Sequence, residues 1–171
     1  QLFQSTVGGG TSPYSYQWYL NGNPVSGATN PTYTLAPTSS GFYTVYLIVT
    51  DGVSASATSN TANVNVNSQL QVTVSPSTAT IYLGQSQLFT SSVSGGTFPY
   101  SYQWYLDGSL VSGATDPTWA FTPTATGTYY IYVKVTDAVN VVAQSSTAQL
   151  AVNSPPPVEV TISSNATVID V

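Results

Sequence analysis

The chain has 171 residues, enough for one or two domains, and its six acidic residues against a single cation, Lys134, leave a net charge of -5. One cation cannot build the basic surface that nucleic acid needs, and no apolar run approaches the roughly 18 residues that a membrane span takes. With neither Cys nor His, the chain lacks the usual groups for disulfides, for nucleophile–histidine catalysis and for zinc, haem or iron–sulfur sites.

Taken in order, the predicted elements are short, alternate with period two and are bounded by Gly, Pro, Asn and Ser. Residues 2–7 put Phe3, Ser5 and Val7 on one face, and residues 14–20 put Tyr16, Trp18 and Leu20 together. Asn21-Gly22 then predicts a tight hairpin turn. Residues 32–35 turn Tyr33 and Leu35 inward, and 41–50 turn Tyr43, Val45, Leu47 and Val49 inward, ending in a turn at Asp51-Gly52. Residues 61–66 carry Ala62, Val64 and Val66 inward with Asn63, Asn65 and Asn67 outward. After a linker at 67–71, residues 72–83 form a further strand that Pro76 breaks into two halves.

From residue 87 the pattern starts again. Residues 1–68 recur as 87–154: Pro13-Tyr-Ser-Tyr-Gln-Trp-Tyr-Leu20 returns unchanged as 99–106, Val25-Ser-Gly-Ala-Thr29 as 111–115 and Val49-Thr-Asp51 as 135–137. A period of this size gives two units. The lead-in 72–83 precedes the second copy, whereas the first copy begins at Gln1 without one. A cognate, Val160-Thr-Ile-Ser, opens the stretch 160–171, behind the Pro-rich spacer Asn153-Ser-Pro-Pro-Pro-Val-Glu159. Three prolines favour a stiff polyproline II spacer.

Several short antiparallel strands at this spacing predict a β-sandwich. The Trp of Gln17-Trp18-Tyr19 and Gln103-Trp104-Tyr105, and the Gly-x-Tyr-x-Val/Ile run ahead of each Val-Thr-Asp, resemble the immunoglobulin-like domains, PKD-like modules included, that occur in tandem on archaeal and bacterial surface proteins. Val45 and Ile131 stand where antibody domains carry the second Cys, and the Trp-x-Phe-Gly-Asp-Gly signature of PKD modules is missing. The resemblance implies two sandwiches around Trp18, Trp104, Tyr43 and Tyr129 and a role at the cell surface. A surface of Ser, Thr, Asn, Gln and Tyr, with charged residues at 4% of the chain, also reads as extracellular.

Few residues point to chemistry. Asp107 and Asp116 are the one close pair of carboxylates; their counterparts are Asn21 and Asn30, and turn chemistry accounts for all four. Asp51, Asp107, Asp116 and Asp137 could offer oxygen to calcium, but no dense Asp-x-Asp-x-Asp loop is present. No catalytic residue, metal site or cofactor is therefore assigned. Tyr19, Tyr46, Tyr105, Tyr130 and Tyr132 fall on the outward parity, where aromatic rings can stack on sugars or contact neighbouring subunits. Asn165-Ala-Thr167 is a glycosylation sequon.

The expected architecture is all-β: an immunoglobulin-like domain at 1–68 lacking its first strand, a complete one at 69–154, and a spacer with an extended donor strand at 155–171. The expected function is a structural subunit of an extracellular filament or surface layer, with itself as partner. Val158, Val160, Ile162, Val168, Ile169 and Val171 would enter the first domain of the next subunit beside the acceptor residues Ala62, Val64 and Val66. The alternative is a segment of a longer tandem stalk or adhesin, with glycans as partners. Neither reading involves nucleic acid or membrane insertion.

Overall fold

The computed structural model describes residues 1–162. Those residues form strands, turns and irregular connections, and no helix among them is long and apolar enough to cross a membrane. They fall into two compact units, Gln1–Leu70 with Ser94–Thr97, and Gln71–Val93 with the residues from Phe98 onward.

The first unit contains β1 (Leu2–Gln4), β2 (Ser15–Leu20), β3 (Asn23–Pro24), β4 (Thr32–Thr34), β5 (Gly41–Thr50), β6 (Ser56–Thr58) and β7 (Ala62–Val66). β1 pairs with β4 in one sheet. In the other, β2 lies between β3 and β5, and β5 also pairs with β6 and β7. All these pairings are antiparallel. The β2–β3 hairpin closes through Asn21 and Gly22, both left-handed at φ 49° and 80°, the geometry a two-residue turn demands. Asn21 Oδ1 accepts the Thr44 N–H at 2.9 Å, which ties the turn to β5.

Alternation delivers the core. Trp18, Leu35, Val45 and Leu47 are buried, with Phe3, Tyr16, Tyr33, Tyr43, Val49 and Val64 half-buried around them. Trp18 donates its indole N–H to the Asn30 carbonyl at 2.9 Å, so its polar atom is satisfied where the ring is buried.

The second unit contains β8 (Gln71–Ser75), β9 (Thr78–Tyr82), β10 (Gln87–Ser94), β11 (Ser101–Leu106), β12 (Ser109–Leu110), β13 (Thr118–Phe121), β14 (Gly127–Thr136), β15 (Val142–Gln144) and β16 (Ala148–Asn153). β10 to β16 repeat the pairings of β1 to β7. Two strands are additional. β8 joins the outer edge of β10, and β9 joins the outer edge of β16 in parallel, Ile81 facing Val152. Pro76 lies between them; lacking an N–H, it ends one ladder and lets the chain cross to the other sheet. Trp104, Phe89, Ile131, Val133, Val135, Ala148 and Leu150 are fully buried. Two facing sheets around a core Trp make each unit an immunoglobulin-like β-sandwich, and in the second a first strand is split between them.

The first strand corrects the sequence expectation. Residues 2–7 were expected as one strand, but β1 ends at Gln4, whereas its counterpart β10 runs for eight residues. Backbone pairing with the other edge of β10, by β8, supports that length; among the described residues β1 pairs with β4 alone. Phe3, Ser5 and Val7 keep their alternate inward placement.

Truncating Trp104 to Ala should cost the second unit about 3–5 kcal/mol. Trp18→Ala should cost the first unit less, because one side of its core is open. Urea unfolding of the two variants, followed by circular dichroism, measures both; equal losses would contradict the difference in packing.

Candidate functional site

The open side of the first unit is a groove of about 480 Å³. One wall is the run from Phe3 to Gly8; the other is Ala57, Thr58, Ser59, Asn60 and Ala62. Trp18, Val45, Leu47 and Val49 form the apolar floor. In the second unit β8 occupies the corresponding place, lying against β14 and β15 with Val72 and Val74 buried to 8% and 6% exposure.

Equivalent residues therefore sit in different surroundings. Val135 is fully buried, while Val49 is half-buried; Ala148, Leu150 and Val152 are buried, while the expected acceptor residues Ala62, Val64 and Val66 are half-buried. Ser145 is buried and Ser59 exposed, although both make the same bonds. Ser59 Oγ accepts the Leu47 N–H at 2.9 Å and donates to the Asn60 carbonyl at 2.8 Å; Ser145 does so with Val133 and Ser146 at 3.1 and 2.7 Å. The local frame is the same in both units, and what differs is the covering strand.

The backbone at the edge is equally prepared. On β16, the Gln149 N–H donates to the Ser77 carbonyl and the Asn153 carbonyl accepts the Leu83 N–H, both at 2.9 Å. Asn63 on β7 and Asn67 just beyond it are their counterparts, and among the described residues no strand pairs with that edge. β7 carries neither the charge nor the Pro that commonly guards a sheet edge.

At one end the groove runs into a smaller pocket of about 150 Å³ lined by Val7, Gly8, Gly9, Gly10, Tyr14, Asp51 and Ala55, among others. Asp51 holds this end together. Its carboxylate accepts the Thr11 N–H at 3.0 Å, the Ala55 N–H at 2.9 Å and the Val53 N–H at 3.0 Å. Those donors, Thr11 foremost, hold its pKa below the ordinary aspartate value. The Tyr14 hydroxyl donates to the Gly9 carbonyl at 2.7 Å.

The remaining sequence-derived residues fall as follows. Tyr43 and Tyr129 are half-buried at the rims of their cores, and their hydroxyls donate to the Ser39 and Ala125 carbonyls. Tyr19 stacks on Tyr46 at 4.8 Å and Tyr105 on Tyr132 at 4.7 Å, as cross-strand pairs in register, and Lys134 Nζ lies 4.9 Å from the Tyr105 ring centre. Asp107, left-handed at φ 48°, accepts the Tyr130 N–H, and the Asp116 carbonyl accepts the Trp104 indole N–H. Among the described residues no three acidic side chains gather into a metal site. Of the donor residues, Val158, Val160 and Ile162 are 92%, 81% and 94% exposed and outside any strand. Val168, Ile169, Val171 and the sequon Asn165 lie outside the described residues. Sequence reading missed the groove floor at Val49, the wall at Ser59 and the loop at Gly8–Gly10; each could have been found by asking which counterpart residues in the second copy a first strand must cover.

No family model matches the chain. An alignment of length 154 to the highly immunogenic outer capsid protein of Enterobacteria phage T4 is 30% identical and covers 78% of this chain; the chain spans only 41% of that relative. Among solved structures, the N-terminal four immunoglobulin domains of Dscam1 isoform 6.9 align with a TM-score of 0.46 at 20% identity, covering 82% of this chain and 38% of that one. The fibronectin(III)-like modules of Clostridium thermocellum CbhA align with a TM-score of 0.38 at 17% identity, covering 87% and 82%.

The three N–H donors on Asp51 fix a pH dependence. Because its folded pKa lies below the ordinary value, its contribution to stability is present above that ordinary value and is lost as pH falls through the folded one. Melting temperatures measured from pH 7 down to pH 2 should show an acid loss in the first unit that Asp51→Asn removes. A variant with the unaltered acid profile would show that Asp51 does not carry it.

Proposed function

We propose that the chain is a non-catalytic structural unit of an extracellular surface assembly, and that a strand of the Val-Thr-Val/Ile-Ser type completes its first sandwich. The carrying observation is the groove that β8 fills in the second unit and that stands open in the first. The sequence holds two segments of this type. Residues 72–75 serve the second unit, and Val160-Thr-Ile-Ser163 is the other. Val160 and Ile162 correspond to Val72 and Val74, and burying both is worth about 3–6 kcal/mol before association costs. Added backbone bonds along an edge supply further affinity, as in other cases of strand addition.

The donor in this reading is the tail of a second copy. Groove and tail are different surfaces, so each copy can give and receive, and the contact propagates head to tail into a filament or layer. The similarity to an outer capsid protein supports a structural role at a surface. The kinship with PKD-like modules of archaeal and bacterial surface proteins belongs to the same reading and rests on the Trp and Gly-x-Tyr motifs.

A second reading is a length of a longer tandem stalk, in which the completing strand belongs to the same polypeptide. The modest share of the capsid relative that the chain spans favours it.

Sedimentation velocity over a concentration series separates the two. Donation between copies predicts chains of oligomers that Val160→Asp with Ile162→Asp abolishes, and that excess peptide of sequence 158–171 breaks down to capped monomers. A monomer at every concentration, with no binding of that peptide, would leave the tandem stalk as the function.

A further inference from the structure

We propose that the groove has a second subsite, at Gly8–Gly10, Tyr14, Asp51 and Ala55, which reads the residues ahead of the donated strand. The proposal rests on the donation reading and specifies its partner: a peptide with an aliphatic side chain two positions before the first strand valine and its backbone pressed against Gly9.

The repeat supplies the observation. Gly9 and Gly10 have the counterparts Gly95 and Gly96, and all four are left-handed, at φ 75°, 73°, 67° and 67°. At the later copy the space is occupied. The Gly96 N–H donates to the Ser68 carbonyl at 2.8 Å, and a Cβ on Gly95 would collide with the Gln69 carbonyl oxygen. Leu70, the next residue, is buried to 4% exposure and lies two positions before Val72. At the earlier copy a Cβ on Gly9 would meet nothing within 4 Å, and the 150 Å³ pocket lies beside it. The backbone shape that receives residues 68–70 is thus built twice and filled once.

The empty copy is preorganised. The Tyr14 hydroxyl on the Gly9 carbonyl, the Asp51 carboxylate on Thr11 N–H and the Gly52 N–H on the Thr11 carbonyl at 2.7 Å hold the loop in the left-handed shape of its occupied counterpart. Little conformational freedom is then left to lose when a peptide arrives. Aligning Val160 with Val72 places Val158 at Leu70, Pro157 at Gln69 and Pro156 at Ser68. Pro156 keeps the carbonyl that Gly10 N–H would bind, and Val158 supplies the aliphatic group. The spacer is then part of the recognised sequence, and it fixes the direction in which the strand enters.

The test uses the full chain with Val160→Asp and Ile162→Asp, so that its own tail cannot compete, and follows binding through the fluorescence of Trp18 in the groove floor. The probe is a peptide of residues 154–165, compared with the same peptide carrying Val158→Ser. Gly9→Asn in the chain places a side chain where the peptide backbone must run, using the residue that best tolerates the left-handed region after Gly. Gly22→Asn, at φ 80° in the distant hairpin turn, carries similar strain as a control. Val158→Ser should weaken binding about tenfold, the value of one buried aliphatic side chain. Gly9→Asn should weaken it by at least about tenfold, with Gly22→Asn unchanged. If the peptides bind equally and Gly9→Asn has no effect, the subsite is wrong and strand donation stands. If no peptide binds any of these proteins, the donation reading falls and the subsite with it.

Discussion

Each sandwich depends on what closes the seam between its two sheets. Strand pairing within a sheet is satisfied by neighbours, and the two inner faces cover each other over most of their area. The open side is different, because one sheet ends at β1 or β10 and the other at β7 or β16. In the second unit a single segment closes both edges, as β8 on β10 and β9 on β16, with Pro76 between the halves where the ladder must change partners. That segment separates a fully buried Val135 from a half-buried Val49. The longer β10 and the buried Ser145 accompany that segment, as the shorter β1 and the exposed Ser59 mark the first unit.

The two copies act as an internal control. Trp18 and Trp104 lie in the same octapeptide, donate to carbonyls at the same offset and pack against the ring at equivalent positions of β4 and β13, Tyr33 or Trp119. Gln17 and Gln103 both donate to the carbonyl of the following Trp and to Val25 or Val111. These contacts use groups within the repeat, so they are indifferent to the seam. Along the seam, Val49, Ser59, Ala62, Val64 and Val66 are more exposed than their counterparts Val135, Ser145, Ala148, Leu150 and Val152.

The scarcity of charge bears on how such an edge can work. With one lysine and six carboxylates in 171 residues, neither attraction nor repulsion between charged faces can steer association strongly. In the proposed strand donation, specificity would come from shape and backbone pairing: the spacing of aliphatic side chains into a groove, and N–H and carbonyl groups in parallel register. Hydroxyl and amide side chains keep the rest of the surface hydrated without guarding the edge, and the Asn row of β7 leaves its backbone accessible to a strand.

Much of this was legible in the sequence. Period-two alternation gave the strands, the exact return of 99–106 gave two units, Trp18 and Trp104 gave the two cores, and Asn21-Gly22 gave a hairpin turn whose φ angles only that chemistry favours. Those features are local: they depend on backbone preference and on which side of a strand a residue faces. The division of 71–82 between two sheets, the early end of β1 at Gln4 and the half-burial of Val49, Ala62 and Val64 were decided only in the tertiary structure. Val49-Thr-Asp51 and Val135-Thr-Asp137 are identical as sequence, yet one valine is buried and the other is not. Burial is a property of neighbours brought from elsewhere in the chain, and no local pattern can state which of two equal grooves has been filled.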